Sequence, residues 1–150
     1  MEIILFEPEI PPNTGNIARF CAALGLPLNL IEPLGFQIND KQLKRAGLDY
    51  WPHVDLRVWP NWPSFLEKWP GGRLWGTSAR AGRLYTTVNF SSDDGLVFGP
   101  ETRGLPENVK EDLHGLLRIP IRQVVRSINL STSVGLIAGE ALRQTGLWPE

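Results

Sequence analysis

The chain has 150 residues, with 15 basic and 16 acidic side chains and a formal net charge of −1 at pH 7. Hydrophobic residues at 42% and charged residues at 21% exclude a disordered chain and favour one globular domain over residues 1–150. No apolar run approaches the ~20 residues of a membrane span, and the N-terminus lacks the basic flank of a targeting peptide. We therefore expect a cytoplasmic protein. A single cysteine, Cys21, excludes an internal disulfide, and with only two histidines we expect no metal site.

The first elements alternate between strand and helix. The apolar run Glu2–Phe6 predicts a buried strand, and Leu28–Ile31 predicts a second one. Between them, apolar residues recur with helical spacing at Ile17, Phe20, Cys21 and Leu24. We expect this helix to be capped by Asn13 or Thr14 and to end at Gly25.

The remaining chain continues the alternation. In order, we predict a short helix from Asn39 or Asp40 to Gly47, a strand over Leu56–Trp59, a helix over 62–69, strands over 74–78, 96–99 and 117–121, and a last helix over 131–144. Residues 83–90 carry no clear pattern. This order predicts an α/β fold with a mainly parallel sheet and helices on both faces.

Ligands of parallel sheets bind beyond the carboxyl ends of the strands, and the loop over residues 7–19 has that position. Prolines stiffen it, and Asn13 offers an amide, but it lacks the G-x-G-x-x-G pattern of a dinucleotide site. Arg19 lies off the apolar face of the following helix. Two roles are compatible with that position. Arg19 could form a surface salt bridge with Glu7 or Glu9, or it could take part in function.

Two further loops follow predicted strands. In residues 96–106, Gly99 and Gly104 bracket Glu101, which indicates a backbone held close to a small ligand rather than a phosphate-binding loop of the Walker A type. In residues 119–133, Ser127 and Asn129 precede the last helix. A helix cap at Asn129 or Ser131 would also explain why polar residues precede this helix.

The basic residues cluster in spite of the near-zero net charge. Lys41, Lys44 and Arg45 share one face of the short predicted helix and are candidates for binding the phosphates of a nucleic acid. The alternative is that Lys44 and Arg45 only complement the carboxyl end of that helix, near Gly47.

The segments EPEIPPNTGNIAR, KRAGLDYW, FGPETRGLP and RSINLS together resemble the SPOUT class of RNA methyltransferases, and most closely its single-domain tRNA 2′-O-methyltransferases of wobble nucleotide 34. The resemblance extends over essentially the whole chain. It implies a trefoil knot near the C-terminus, a homodimer, a tRNA anticodon stem-loop as partner and S-adenosylmethionine as cofactor.

The resemblance also implies residue roles. Main-chain groups of Thr77, Gly99 and Ile119 would bind the cofactor, and Gly104 and Ser127 would lie close to it. The catalytic set would be Asn13, Arg19, Glu101 and Asn129, with Arg19 clamping an RNA phosphate because a guanidinium stays protonated. Glu101 would hold Asn13 or Arg19 in place.

Two positions depart from the family pattern. Gly139 replaces a common tyrosine, and because glycine weakens a helix we expect close packing to require it. Thr132 replaces an asparagine. Two other functions stay open: a non-catalytic RNA-binding module of the same fold, and a methyltransferase acting on ribosomal RNA. The intact site residues argue against the first, and the lack of an added RNA-binding domain argues against the second.

Overall fold

A computed structural model describes residues 1–39 and 50–150 of the chain. Within these residues the strands are β1 (Glu2–Phe6), β2 (Leu28–Ile31), β3 (Leu56–Trp59), β4 (Leu74–Thr77), β5 (Arg83–Leu84), β6 (Gly95–Phe98) and β7 (Gly115–Arg118). The helices are α1 (Pro11–Leu24), α2 (Trp62–Lys68), α3 (Glu107–Lys110) and α4 (Leu130–Thr145), with single 3-10 turns at Trp51–His53 and Tyr85–Thr87.

The described strands form one seven-stranded sheet in the order β3-β2-β1-β6-β4-β7-β5, and all of its pairs are parallel. Parallel neighbours require crossover connections, which the intervening helices and loops provide. The predicted α/β fold with a mainly parallel sheet is therefore confirmed. The trefoil knot that the resemblance implies stays a prediction.

Alternate residues of the central strands pack on opposite faces of the sheet. Ile3 and Leu5 of β1 join a core with the apolar stripes of α1 and α4, whereas Ile4 and Phe6 join a second core with α2 and α3. Because side chains alternate along a strand, a strand covered on both faces is apolar throughout. Helices therefore cover both faces, as the sequence predicted.

Several boundaries differ from the expected ones. Helix α1 begins at Pro11 after Ile10, with no side-chain cap, so Asn13 and Thr14 lie inside its first turn. Proline is favoured there because the first helical N–H groups need no partner. Strand β7 ends at Arg118, earlier than predicted, and the backbone of 119–129 forms no regular element. The predicted helix at Asn39 or Asp40 to Gly47, with Lys41, Lys44 and Arg45, lies outside the described residues apart from Asn39.

Four loops follow adjacent strands at one edge of the sheet. Strands β1, β6, β4 and β7 are neighbours, so the segments after Phe6, Phe98, Thr77 and Arg118 meet at the same edge. No helix within the described part of the chain is long and apolar enough to span a membrane.

Candidate active site

A cavity of about 450 Å³ opens where these four loops meet. Its lining combines apolar side chains with amides and hydroxyls. The residues are Ile10, Asn13, Thr77, Ser78, Ala79, Phe98, Gly99, Pro100, Glu101, Gly104, Leu117, Ile119, Ile121, Ser127, Ile128, Asn129, Leu130 and Ser133. The volume falls in the ~300–1,000 Å³ range of small-molecule sites. Among the described residues, no cluster of His, Cys, Asp and Glu could hold a metal ion.

The cavity brings together all but one of the site residues that were proposed from the sequence. Those that line it are Asn13, Glu101 and Asn129 from the expected catalytic set, and Thr77, Gly99, Gly104, Ile119 and Ser127 from the expected cofactor set. Arg19 does not line it. Four loops separated in sequence therefore contribute to one site.

Asn129 has two roles at the start of α4. Its side-chain oxygen accepts hydrogen bonds from the backbone N–H of Ser131 at 2.8 Å and of Thr132 at 3.4 Å, which caps the helix. Its amide nitrogen donates to Oδ1 of Asn13 over 2.9 Å. The expected cap is thus present, and the same side chain also joins α4 to the first turn of α1.

Glu9 and Glu101 form a reciprocal clasp between the loops after β1 and β6. The backbone N–H groups of Glu9 and Ile10 donate to Glu101 at 2.8 and 3.3 Å. In return, the backbone N–H and the hydroxyl of Thr102 donate to Glu9 at 2.9 and 2.7 Å. The hydrogen bonds from Thr102 lower the pKa of Glu9, and the bond from its backbone N–H has the largest effect.

The clasp corrects the role expected for Glu101. Its carboxylate holds the backbone that leads into α1 and not the side chains of Asn13 or Arg19. Each of its oxygens accepts one N–H donor, and in this geometry the carboxylate holds the loop after β1 in position.

The loop that carries Glu101 depends on its two glycines. A Cβ at Gly99 would lie 2.5 Å from the backbone nitrogen of Leu105 and 2.6 Å from the carbonyl carbon of Gly104. Gly104 has φ of +68°, which side-chain-bearing residues rarely adopt. The sequence predicted that the backbone at Gly99 lies close to another group. This group is the backbone of Gly104 and Leu105 in the same loop.

Arg19 is exposed on α1, and its guanidinium carbon lies 5.7 Å from the ring centre of Tyr50. Tyr50 is in turn anchored by donating to the carbonyl of Gly15 at 3.0 Å. The alternative of a salt bridge with Glu7 or Glu9 is wrong, because Arg19 forms no ion pair with either carboxylate; both pair with Arg103 instead, at 3.8 and 3.9 Å. Burial raises the pKa of Tyr50, and the charge of Arg19 partly opposes that effect.

Sequence reasoning missed part of the lining. Ser78 and Ser133 contribute hydroxyls, and Ile10 and Ile121 contribute apolar walls. Ser78 directly follows β4, so the rule that ligands bind beyond strand ends was the available signal. Glu9 and Thr102 were also missed, because nothing local in the sequence shows that they meet.

The expectation of close packing at Gly139 is wrong within the described residues. A Cβ there would lie 3.9 Å from Cζ2 of Trp148, which is ordinary contact. No packing inside the described chain requires this glycine.

Comparison with known proteins places this arrangement in a family. The model of the SpoU rRNA Methylase family matches residues 1–139. A protein of Saccharophagus degradans named tRNA (cytidine(34)-2′-O)-methyltransferase is 48% identical over 146 residues, covering 96% of this chain and 95% of its own. A protein of Aeromonas hydrophila with the same name is 45% identical over 148 residues, covering 97% and 95%.

Solved structures agree with this comparison. One, described as "Structural insights into the 2-OH methylation of C/U34 on tRNA", has a TM-score of 0.91 and 51% identity, covering 95% of this chain and 94% of its own. The SpoU methyltransferase AviRb from Streptomyces viridochromogenes, in complex with AdoMet, has a TM-score of 0.87 and 22% identity, covering 96% and 60%. At that identity it shows the shared fold alone. Because the family model spans residues 1–139, the chain belongs to the SpoU rRNA methylase family.

Proposed function

We propose that this protein transfers a methyl group from S-adenosylmethionine to the ribose 2′-hydroxyl of nucleotide 34, cytidine or uridine, in tRNA. The observation that carries the proposal is the single cavity that Asn13, Glu101 and Asn129 share with the backbone loops at Gly99 and Ser127. The relatives that match 96–97% of the chain are named for this reaction. We also propose that residues 1–150 act as one domain, since one sheet spans β1 to β7.

The residues of the cavity fit S-adenosylmethionine. Phe98, Leu117 and Leu130 supply apolar surface for an adenine ring, and Thr77 and Ile119 end or follow strands whose backbone groups can pair with its edge. Hydroxyls of Ser78, Ser127 and Ser133 are suited to ribose or amino-acid groups. Bound there, the cofactor supplies an electrophilic methyl group on a sulfonium.

The protein's own part in the reaction is orientation and control of charge. Holding the 2′-hydroxyl against the cavity converts a bimolecular encounter into an effectively unimolecular step. The linked amides of Asn13 and Asn129 offer polar contacts at the cavity wall, and the clasp of Glu9 and Glu101 fixes where they stand. The carboxylate of Glu101 accepts one backbone N–H at each oxygen and holds the loop after β1, so its part in this proposal is positioning and not proton transfer.

Arg19 has a different proposed role. Its exposed guanidinium is available to an RNA phosphate, and the ring of Tyr50 limits its motion. We propose that it clamps the phosphate beside the reacting ribose. Arg19→Ala should remove most methyl transfer and leave the affinity for S-adenosylhomocysteine within a few fold. If that variant keeps most of its activity, the assignment is wrong.

We further propose a homodimer in the cytoplasm. Leu136, Leu147 and Trp148 expose 41 to 49% of their surface on and just after α4, which is apolar area suited to a second copy. The substrate supports the compartment, because tRNA is modified where it is made or used.

One experiment tests the reaction and its main alternatives. Purified protein, S-adenosylmethionine and a tRNA transcript are incubated, and the digested nucleosides are analysed by mass spectrometry. We expect a ribose methyl at position 34 and none in a transcript that carries a 2′-deoxy nucleotide there. Because the family is named for rRNA methylases, a ribosomal RNA substrate is included. Methylation of that RNA alone would overturn the tRNA proposal, and methylation of neither would favour a non-catalytic RNA-binding module.

A further inference from the structure

The turn over residues 122–126 is exposed at the mouth of the cavity, and we call it the mouth turn. Ile121 before it and Ser127 after it both line the cavity, so the turn leaves the wall and returns to it. The backbone N–H of Val125 donates to the carbonyl of Arg122 at 3.4 Å, which closes the turn. Nothing in the proposed reaction accounts for its side chains.

The tip of the mouth turn is apolar and solvent-exposed. Val124 exposes 74% of its surface and Val125 exposes 51%, the largest fractions among the exposed large hydrophobic residues of the described chain. Both valines lie between two exposed arginines, Arg122 and Arg126. Apolar side chains this exposed beside a binding cavity are typical of an interaction surface.

The arginines at the mouth differ from the others in the described chain. Arg57, Arg73, Arg103 and Arg143 pair with carboxylates, Arg19 and Arg83 lie over aromatic rings, and Arg118 donates to the carbonyl of Ala81. Among residues 1–39 and 50–150, the guanidinium groups of Arg80, Arg122 and Arg126 have no such partner. All three adjoin a residue that lines the cavity, namely Ala79, Ile121 and Ser127.

A single carboxylate in the described cavity wall, that of Glu101, opposes this charge, and both of its oxygens accept backbone N–H donors. Arg122 and Arg126 flank the two exposed valines in the chain, and Arg80 follows the lining residue Ala79 on another loop of the cavity. A single-stranded nucleic acid has the matching chemistry, because it alternates phosphates with the flat apolar faces of bases.

We propose that the mouth turn and Arg80 dock the RNA strand on both sides of the target nucleotide. Arg80, Arg122 and Arg126 bind phosphates, and Val124 and Val125 contact the face of a base next to the target. This proposal rests on the proposed function, because it uses the cavity as the place of the target ribose. It adds a base contact that the reaction itself does not require.

The test measures equilibrium binding of an anticodon stem-loop in the presence of S-adenosylhomocysteine, so that methyl transfer does not enter. Arg122→Gln with Arg126→Gln should lower the slope of log affinity against log salt by about 0.7 for each phosphate that the variant no longer binds. Lys68→Gln, an exposed cation at the end of α2, is the matched control and should leave the slope unchanged. An unchanged slope in the double variant would overturn the phosphate contacts.

The base contact has its own test. Val124→Ser with Val125→Ser should weaken binding about fivefold, as the removal of a modest apolar contact does. The same effect should disappear when the nucleotides beside the target are abasic. Val58→Ser, on the exposed edge strand β3, is the control. An equal effect with abasic RNA would overturn the base contact.

Two further measurements distinguish RNA docking from contact with a second copy and from a failure of the proposed function. Sedimentation of the valine variant should be unchanged, and a shift to smaller species would mean that the turn contacts a second copy instead. Wild-type protein that binds the stem-loop with these dependences but transfers no methyl group would refute the proposed function and leave the docking surface standing.

Discussion

The side-chain amide of Asn129 donates to the side-chain oxygen of Asn13 across 2.9 Å, although the two residues are 116 positions apart. The bond joins the start of α4 to the first turn of α1 at the wall of the cavity. Because Asn129 also caps α4, its two functions can be separated by substitution.

Asn129→Ser keeps a good capping oxygen but is too short to reach Asn13. We expect unchanged thermal stability and a loss of methyl transfer of at least about tenfold, as expected when a site residue loses its orientation. Asn129→Ala should in addition lose about 1 kcal/mol of stability because the cap is gone. Thermal unfolding and initial rates measure both. Full activity in the serine variant would show that the hydrogen bond between Asn129 and Asn13 has no role in the site.

Gly99→Ala should abolish binding of S-adenosylhomocysteine, because its Cβ would lie 2.5 Å from backbone that cannot move independently of the loop. Gly82→Ala is the matched control, since a Cβ there meets nothing within 4 Å. Calorimetry measures both affinities. Wild-type affinity in Gly99→Ala would mean that this loop does not shape the cofactor site.

Glu9→Ala removes the acceptor of both Thr102 donors and should reduce methyl transfer more than Thr102→Val, which removes only the hydroxyl. Glu67→Ala, on the exposed side of α2, is the control and should be neutral. Rates at saturating substrates measure the effect, and a loss confined to KM would contradict a role in positioning.

The same carboxylate predicts a pH dependence. Its pKa is lowered in the folded protein, so its contribution to stability is complete above the unfolded value of about 4.3 and is lost as pH falls through the lowered value. The difference in stability between wild type and Glu9→Gln should therefore be constant at neutral pH and shrink only in acid. A difference that changes between about pH 6 and 8 would contradict this assignment, because no titration of this carboxylate falls in that range.

Cys21 is buried in the core between α1 and the sheet, and burial raises its pKa to about 12. The thiol should not react with iodoacetamide at about pH 8 until the chain unfolds, because the thiolate is the nucleophile. Above the unfolded pKa of about 8.5 the unfolded state loses its thiol proton first, so this group lowers stability as pH rises toward the folded value. Rapid labelling of the native protein would show that the α1 core opens, with labelling in guanidinium as the reference.

Gln144 joins α4 to the loop before β6. Its side chain accepts from the backbone N–H of Phe90 at 2.8 Å and donates to the carbonyl of Val88 at 3.0 Å. Gln144→Leu leaves both groups unpaired and should cost about 1–3 kcal/mol in urea unfolding. Arg143→Gln, which breaks an exposed ion pair with Glu140, should change stability by less than about 1 kcal/mol. Equal effects would show that the loop is not held by Gln144.

Much of the fold could be predicted from local patterns. The bounds of β1, β2 and β3 match those expected from apolar runs, and α1 and α4 end at Gly25 and Gly146 in left-handed conformation. Helix α1 was misjudged at its start because proline can open a helix without a side-chain cap.

The sequence by itself determined the alternation of strands and helices and the loops that form the site, because hydrophobic periodicity and glycine placement act within a few residues. Only the tertiary structure decided which side chains meet. Strand β4 lies between β6 and β7, and β1 pairs with β6, so Glu9 reaches Thr102 and Asn13 reaches Asn129. These contacts join residues that lie far apart in the chain, and parallel pairing of distant strands leaves no local signal in the residues that it brings together.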